Sequence, residues 1–545
     1  MCIRDSRRTT EGIVNRLNKD SASYSGEEDV NLAVAVWEYW DKTTQTVYTW
    51  CEGSDTWCRE PMVPTKMGER FFPYFILGLN WIDGQEWPVS ETELMMNLQD
   101  EYNTVRDQLA EHRKLSAPFY VADASRVNEE DIEAASWYLL DAIANIAAGL
   151  NTDQGRILRS WFLEESPDTS RKILFMGALM HILEMDDLHR RSVVHPGCVV
   201  IPAVIAVGLR AGISGRMMLE AAIKGFEACT RIGNSVGPAH YKIWHNTATC
   251  GTFGAAYAAG TLMRLNSSEL CHALGNAGTQ SSGLWEFVEN GSMSKHLHAG
   301  RAGQSGLIAA ELARHGFSGS DAILEGERGF YAACCPDATP EELLADPDSK
   351  WQLHQTSIKP WPCCRHTHPA IDAALEISKK IDGYLLESIV IGVTQSTIDV
   401  CDNPIPKTVY EAKFSVQHCV SIAMLSGKVG FDSFESEARQ LTAPLNRKIT
   451  LYCDEKFEQS YPEAWGAEIK AEMKDGNLIM AHRDNAKGDP DAPLSPKEMK
   501  EKAVMLFTHA GIEEPLEWIE KILCIHKYNS SFSENELYHL LGLKV

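Results

Sequence analysis

Residues 251–263 of this 545-residue chain, GTFGAAYAAGTLM, restrict the fold more than any other stretch, because seven of the thirteen are Gly or Ala. Alanine favours helix, but a helix this poor in large side chains gains little burial unless another backbone comes close to it. Neighbouring segments share the pattern, and helices are predicted over 171–183, 199–211, 217–232, 251–265 and 268–279. From Asn128, NEEDIEAASWYLLDAIANIAAGL opens with acids and closes with glycine, the polarity of a helix. A compact, mainly α body is therefore expected rather than a parallel sheet.

Strands are predicted over 388–400 and 447–454, inside a smaller α+β region at 356–490. The Pro- and Asp-rich HRDNAKGDPDAPLSP, 482–496, reads as a linker, and helices return after Ser495. The segment before residue 130 differs in character, giving a mixed α/β N-terminal segment. VAVWEYWDKTTQTVYTWCEG alternates as a hairpin does. SETELMMNLQDEYNTVRDQLAEHRKL has helical spacing, with Leu94, Leu98, Val105 and Leu109 on one side. The expected division is 1–130, 131–355, 356–490 and 491–545.

A formal charge of −24, from 51 basic and 75 acidic residues, argues against binding a phosphate backbone. It leaves open a local basic pocket for a small anion. Apolar runs fall short of the roughly 18–20 residues that span a bilayer. The opening MCIRDSRRTT lacks an apolar signal core, so a cytoplasmic location is expected, with the 15 cysteines as reduced thiols. GNSVG at 233–237 matches G-x-S-x-G, but a helix rather than a strand precedes it, and Gly233 reads as a helix C-cap. CCRHTH at 363–368 has metal-like spacing without a matching second pair, so no metal is expected. Phosphate-cradling and dinucleotide glycine motifs are absent from the sequence.

Four charged islands remain, each beside a Gly- or Ala-rich helix: EMDDLHRRSVVHPG, YKIWHNTATCGTFG, ENGSMSKHLHAGRAGQSG and KPWPCCRHTHPAIDAA. One alone would most often be a cap or a solvated turn. Four at predicted helix starts share a logic, since helix N-termini favour anions and histidines there move protons near neutral pH. Arg365 and His366 are expected as anion contacts.

LEMDDLHRRSVVHPG, HNTATCGTFGAA, SKHLHAGRAGQSG and ERGF, in this order, resemble the MmgE/PrpD family over roughly residues 130–545. That family includes 2-methylcitrate dehydratase, cis-aconitate decarboxylase and iminodisuccinate epimerase. The resemblance implies an all-α domain with an inserted α+β lid, a homodimer, no cofactor and a small di- or tricarboxylate substrate. It carries the catalytic roles to His195, His245, Lys295, Asp186 and Asp187. Substrate contacts are expected from Glu184, His298, Arg301, Cys364, Arg365 and His366. Leu188 stands where the decarboxylase branch has threonine, and Cys364 near where it has a histidine. Residues 68–114 resemble part of a tailed-phage portal protein, and MCIRDS resembles translated sequencing adapter, so residues 1–130 are expected to lie outside the enzyme, either through a chimeric reading frame or as an accessory domain.

Overall fold

The computed structural model describes residues 36–51, 55–64, 99, 102–104, 106, 126–346, 349–381, 385–527 and 533–543. It divides into two compact units, Met1–Gln108 and Leu109–Val545. In the first, β1 (Val36–Asp41), β2 (Thr46–Cys51) and β3 (Trp57–Met62) form an antiparallel sheet in that order. The alternating aromatics meet across the predicted hairpin, Trp37 opposite Trp50 and Tyr39 opposite Tyr48. Apart from a few residues, the helix expected over 90–115 and the portal-like stretch lie outside the described residues.

The second unit is mainly helical. Its first core is built by α1 (Glu129–Gly149), α2 (Asp153–Phe162), α3 (Thr169–Ile182), α4 (Gly197–Ala211), α5 (Gly215–Ser235), α6 (Asn246–Leu262), α7 (Ser267–Gly278) and α8 (Ser294–Arg314). A reciprocal capping box between Asn128 and Asp131 starts α1. Helix α6 packs against α8, α5, α4 and α7. Small residues make this possible: a Cβ on Gly306 would stand 2.6 Å from the Ala255 Cβ, and one on Gly300 would stand 2.2 Å from the Leu174 carbonyl oxygen. Gly300→Ala is accordingly expected to destabilise the protein by about 1–3 kcal/mol, the usual cost of overpacking. A thermal melt checks this, and an unchanged Tm would contradict the close approach of α8 to α3.

Gly233 is not the expected C-cap. It lies inside α5, where a Cβ would stand 2.6 Å from the Ser192 Cβ, and the positive-φ glycine is Gly237, at φ 77°. The helix runs two residues past Gly233 because the glycine is needed for packing against Ser192 rather than for a left-handed turn.

A two-residue ladder joins the first charged island to the chain entering the second core. Strand β4 (Leu188–His189) pairs antiparallel with β5 (Thr356–Ser357). Beyond it, α9 (His368–Ser378) packs on a four-stranded sheet of β6 (Leu386–Val393), β7 (Ile449–Cys453), β8 (Ala467–Met473) and β9 (Leu478–Arg483), in the order β7-β6-β8-β9. Only the β6–β7 pairing is parallel. The strand predicted over 388–400 stops at Val393, because the Thr394 side chain accepts the Thr397 amide and starts the short helix α10 (Gln395–Cys401). After α11 (Val416–Ser426) and the remaining strands, α12 (Pro496–His509) and α13 (Pro515–Leu523) return Leu506, Phe507, Ile519 and Ile522 to the first core. Among the described residues, no helix is long and apolar enough to cross a membrane.

Candidate active site

The loop between α3 and α4 carries the acids of the first island, and all three are buried. Glu184 adopts a positive φ of 60°, an uncommon backbone state for a side-chain-bearing residue outside Asn and Asp. Its carboxylate pairs with the Lys295 ammonium, and Lys359 Nζ lies 3.6 Å from its second oxygen. Burial alone would raise the Glu184 pKa, but these two lysines outweigh it and hold the carboxyl far below its usual range. Lys359, 1% exposed, also donates to the Glu184 carbonyl at 3.2 Å and lies 3.8 Å from Asp186.

Asp186 accepts a hydrogen bond from His181 Nδ1 at 2.6 Å and has His195 Nδ1 at 3.2 Å, inside ion-pair distance but not aligned as a hydrogen bond. Burial acts to raise the Asp186 pKa, and the two imidazoles reverse it and keep the carboxyl well below its ordinary value. Burial lowers His195 to about 4 despite Asp186, so the ring is neutral near pH 7. A neutral imidazole beside a fixed carboxylate is a competent proton acceptor.

From the next two islands, His245 and Lys295 reach this group from helix starts. His245 is the N-cap residue of α6, and its ring stacks 5.7 Å from that of His181. Its Nδ1 lies 3.3 Å from His298 Nδ1. Burial first, then the neighbouring cations, push His245 well below its usual value and His298 down to about 4. Trp285 packs 4.8 Å from the His245 ring and Phe287 5.5 Å from His298, giving the pair an apolar wall. Lys295 and His298 lie on α8, one turn apart.

The remaining expected residues are placed differently. Both Asp187 oxygens accept the Gly197 amide, at 3.0 and 3.1 Å, so this acid anchors the start of α4. Burial, reinforced by Asp186 and Asp141, pushes its carboxyl well above the normal range. A Cβ at Gly197 would stand 2.5 Å from the Asp187 carboxylate, which accounts for the glycine of HPG. Arg365 is buried and pairs with Asp489, with a second contact of 2.9 Å to His368 Nδ1. Arg301 is exposed and donates to Gln304 at 2.6 Å. Cys364 and His366 sit together, Sγ to Nδ1 3.5 Å.

Five further groups complete the arrangement: His181, His296, Lys359, Lys413 and Lys502. Lys413 donates to the Leu183 carbonyl at 3.1 Å, and burial lowers it to about 8 even with Glu184 opposing. Lys502, from α12, pairs with Asp141 at 2.5 Å and donates to the Met185 carbonyl at 2.7 Å, tying that helix to the acidic loop. His296 is buried and lowered to about 3. Among the described residues, one group has metal-ligand proximity: His181, Asp186 and Cys198, with atoms within 4.8 Å of one another. The direct His181–Asp186 hydrogen bond accounts for the closeness of two of the three.

A group of lysines, carboxylates and histidines, most of them buried, joins the first core to the start of the second. Sequence comparison agrees with this two-part construction. Residues 119–343 match the MmgE/PrpD N-terminal domain and residues 361–524 the MmgE/PrpD C-terminal domain. The chain belongs to the MmgE/PrpD family. It is 24% identical over 386 residues to the cis-aconitate decarboxylase-like protein oryM of Aspergillus oryzae, covering 66% of this chain and 80% of that one. It is 25% identical over 404 residues to cis-aconitate decarboxylase of Aspergillus terreus, covering 65% and 82%. For the Homo sapiens cis-aconitate decarboxylase the figures are 26% over 375 residues, 64% and 74%. In this MmgE/PrpD chain, the junction of the two family domains, residues 344–360, contains both β5 and Lys359.

Proposed function

We propose that the protein is a lyase for a small di- or tricarboxylate, acting by proton transfer at the carbon beside a carboxylate. One observation carries the reading: the ammonium groups of Lys295 and Lys359 converge on Glu184, while Asp186 holds His181 and lies beside His195. Removing a proton next to a carboxylate builds negative charge on its oxygens, and buried cations already in place stabilise that charge. His195 is the first proton-transfer group, positioned with His181 by Asp186. His245 and His298 form a second, and Lys295, with Lys359 and Lys413, holds the substrate's carboxylates. The helical core forms one wall of the cleft and the α+β region at 356–490 the lid. The working unit is a cytoplasmic homodimer that needs no cofactor.

Within this class, dehydration of a 2-methylcitrate-like substrate is the first reading. Leu188 and Cys364 stand where the decarboxylase branch has other residues, which weighs against decarboxylation, while CCRHTHPAID resembles the epimerase branch. Decarboxylation of a cis-aconitate-like substrate is the second, favoured by the names of the relatives above. Epimerisation of an iminodisuccinate-like substrate uses the same proton-transfer groups. Incubation of the full chain with 2-methylcitrate, citrate, cis-aconitate and iminodisuccinate, followed by NMR, separates the three by loss of water, release of CO₂ or inversion at carbon. No turnover of any of them would overturn the assignment.

Lys413 gives the reading a pH signature. Its ammonium is lost as the pH rises through about 8, so kcat/KM is expected to fall on the alkaline side with a midpoint near that value. Arginine stays protonated there, so Lys413→Arg is expected to move this limb to higher pH. An alkaline limb at the same pH in both proteins would remove Lys413 from substrate binding.

A further inference from the structure

The second core is inserted in the chain of the first, so the backbone crosses between them twice. The outgoing crossing is 356–360, and the returning one, 484–492, belongs to the stretch that the sequence suggests as a linker. The structure makes it a packed turn instead, with Ala486 and Asp489 buried and the Gly488 amide donating to the Ala492 carbonyl at 2.8 Å. It lies against the outgoing crossing: the Ile358 amide donates to the Gly488 carbonyl at 2.9 Å. A Cβ on Gly488, whose φ is 89°, would stand 1.9 Å from the Ile358 carbonyl oxygen. Up to this point the chain is fixed to the first core, since the Gln352 amide donates to Glu227 at 2.7 Å and the Tyr138 hydroxyl to the Thr356 carbonyl at 2.6 Å.

Asp489 ties these pieces together. Its carboxylate accepts from Ser357 Oγ at 2.5 Å and from the Ala486 amide at 3.0 Å, pairs with Arg365, and lies 3.6 Å from Arg190. Arg190 belongs to the acidic loop, and it also donates to Asn485 and Asp491 of the returning crossing, each at 2.8 Å. One buried carboxylate thus joins the acidic loop, the outgoing crossing and the start of the second core.

We propose that Asp489 is a positioning residue, which through Arg190 and Arg365 fixes the acidic loop against the crossing that carries Lys359; its part in catalysis rests on the proton-transfer reading above. The route is short. Ser357, held by Asp489, stands opposite Leu188 in the β4–β5 ladder. Asp186 lies two residues from Leu188, and Lys359 two residues from Ser357. A slip at Asp489 therefore shifts the proton-transfer groups against a cation that meets the substrate's carboxylate. Apolar side chains would join the two cores as well or better, because desolvation cancels much of what a buried ion pair gains. What the charges add is direction, since each guanidinium is aimed at particular oxygens.

Asp489→Asn is nearly isosteric and tests this. Its amide oxygen can keep Ser357 and Arg365, but its NH2 group then faces Arg190 and the Ala486 amide, all of them donors. Hydrogen–deuterium exchange of the full chain, read by mass spectrometry, reports the result without substrate. Peptides covering 184–195 and 356–360 are expected to exchange on the order of tenfold faster, with 251–262 in α6 unchanged. With the substrate that the screen identifies, kcat per folded molecule is expected to fall about tenfold or more. Arg190→Gln/Asp489→Asn is expected to fall no further than the worse of its two single variants. Exchange that rises equally along α6, or stays unchanged at 184–195, would overturn the proposal. So would a wild-type kcat per folded molecule in a variant whose loop exchanges faster. Should no carboxylate be turned over while the loop exchanges as expected, the proton-transfer reading fails and the positioning of the loop by Asp489 stands. Where Asp489→Asn does not fold, Asp491→Ala, at an exposed position, removes one contact of Arg190. It is expected to speed exchange in the same peptides about threefold, and no change there would overturn the proposal.

Discussion

Lys295→Ala is expected to lower kcat/KM by on the order of 10²-fold or more, the scale seen when one donor to a developing oxyanion is removed. The lysine has two roles that must be separated, because it also neutralises the buried Glu184. Removing one member of a buried pair costs about 3–5 kcal/mol when the other is left uncompensated. Lys359, 3.6 Å from Glu184, softens that loss. A Lys295→Met/Glu184→Gln double variant removes both charges, and its Tm is expected to exceed that of Lys295→Met alone. Its activity is expected to remain low. Recovery of near wild-type turnover in the double variant would show that the lysine serves Glu184 alone.

Asp186→Asn is expected to be the more damaging change, lowering kcat by about 10³–10⁴-fold, the scale known for the carboxylate that orients a catalytic histidine. The geometry gives the reason. Asp186 is the acceptor for His181 Nδ1 and the nearest acid to His195. An amide carries no charge to balance a protonated imidazole, and its NH2 group cannot accept a ring N–H. Stability is expected to fall as well, since Lys359 lies 3.8 Å away. Turnover should therefore be referred to the folded fraction, measured by circular dichroism on the same sample. A folded Asp186→Asn protein with kcat within a few-fold of wild type would make the carboxylate purely structural.

Parts of this site were legible in the sequence because local pattern and chemistry coincide there. Glu184 and Asp186 were visible as charge set against an apolar run, and His245 and Lys295 as basic residues at helix starts. His181 was not, because it lies in the apolar stretch of α3, where a histidine reads as core. Lys502 lies more than 300 residues from the carbonyl it binds, and no periodicity reports such a contact. Lys359 stands inside the fourth island, where the neighbouring Cys-Cys-Arg-His cluster carries the stronger local signal. Arg301 shares an island with Lys295, yet six residues at about 100° each turn it roughly 240° around the helix. Helical phase, applied to the island, would have excluded it. Arg365 presents the converse difficulty: its charge was visible, but Asp489, which pairs with it, comes from 124 residues downstream. The Gly- and Ala-dense helices were legible throughout, because a backbone-to-backbone packing requirement leaves few residue choices. The end of β6 was not, because a single threonine cap decides it.

The measurement closest to the central claim is deuterium incorporation, followed by NMR in D₂O, at the carbon adjacent to a substrate carboxylate. It should be made for wild type, His195→Ala and His245→Ala with the substrate that the screen identifies. The expected result is incorporation by wild type and a marked slowing in at least one histidine variant, with both variants folded. Turnover without deuterium at that carbon, or equal incorporation in all three proteins, would contradict proton transfer at this site.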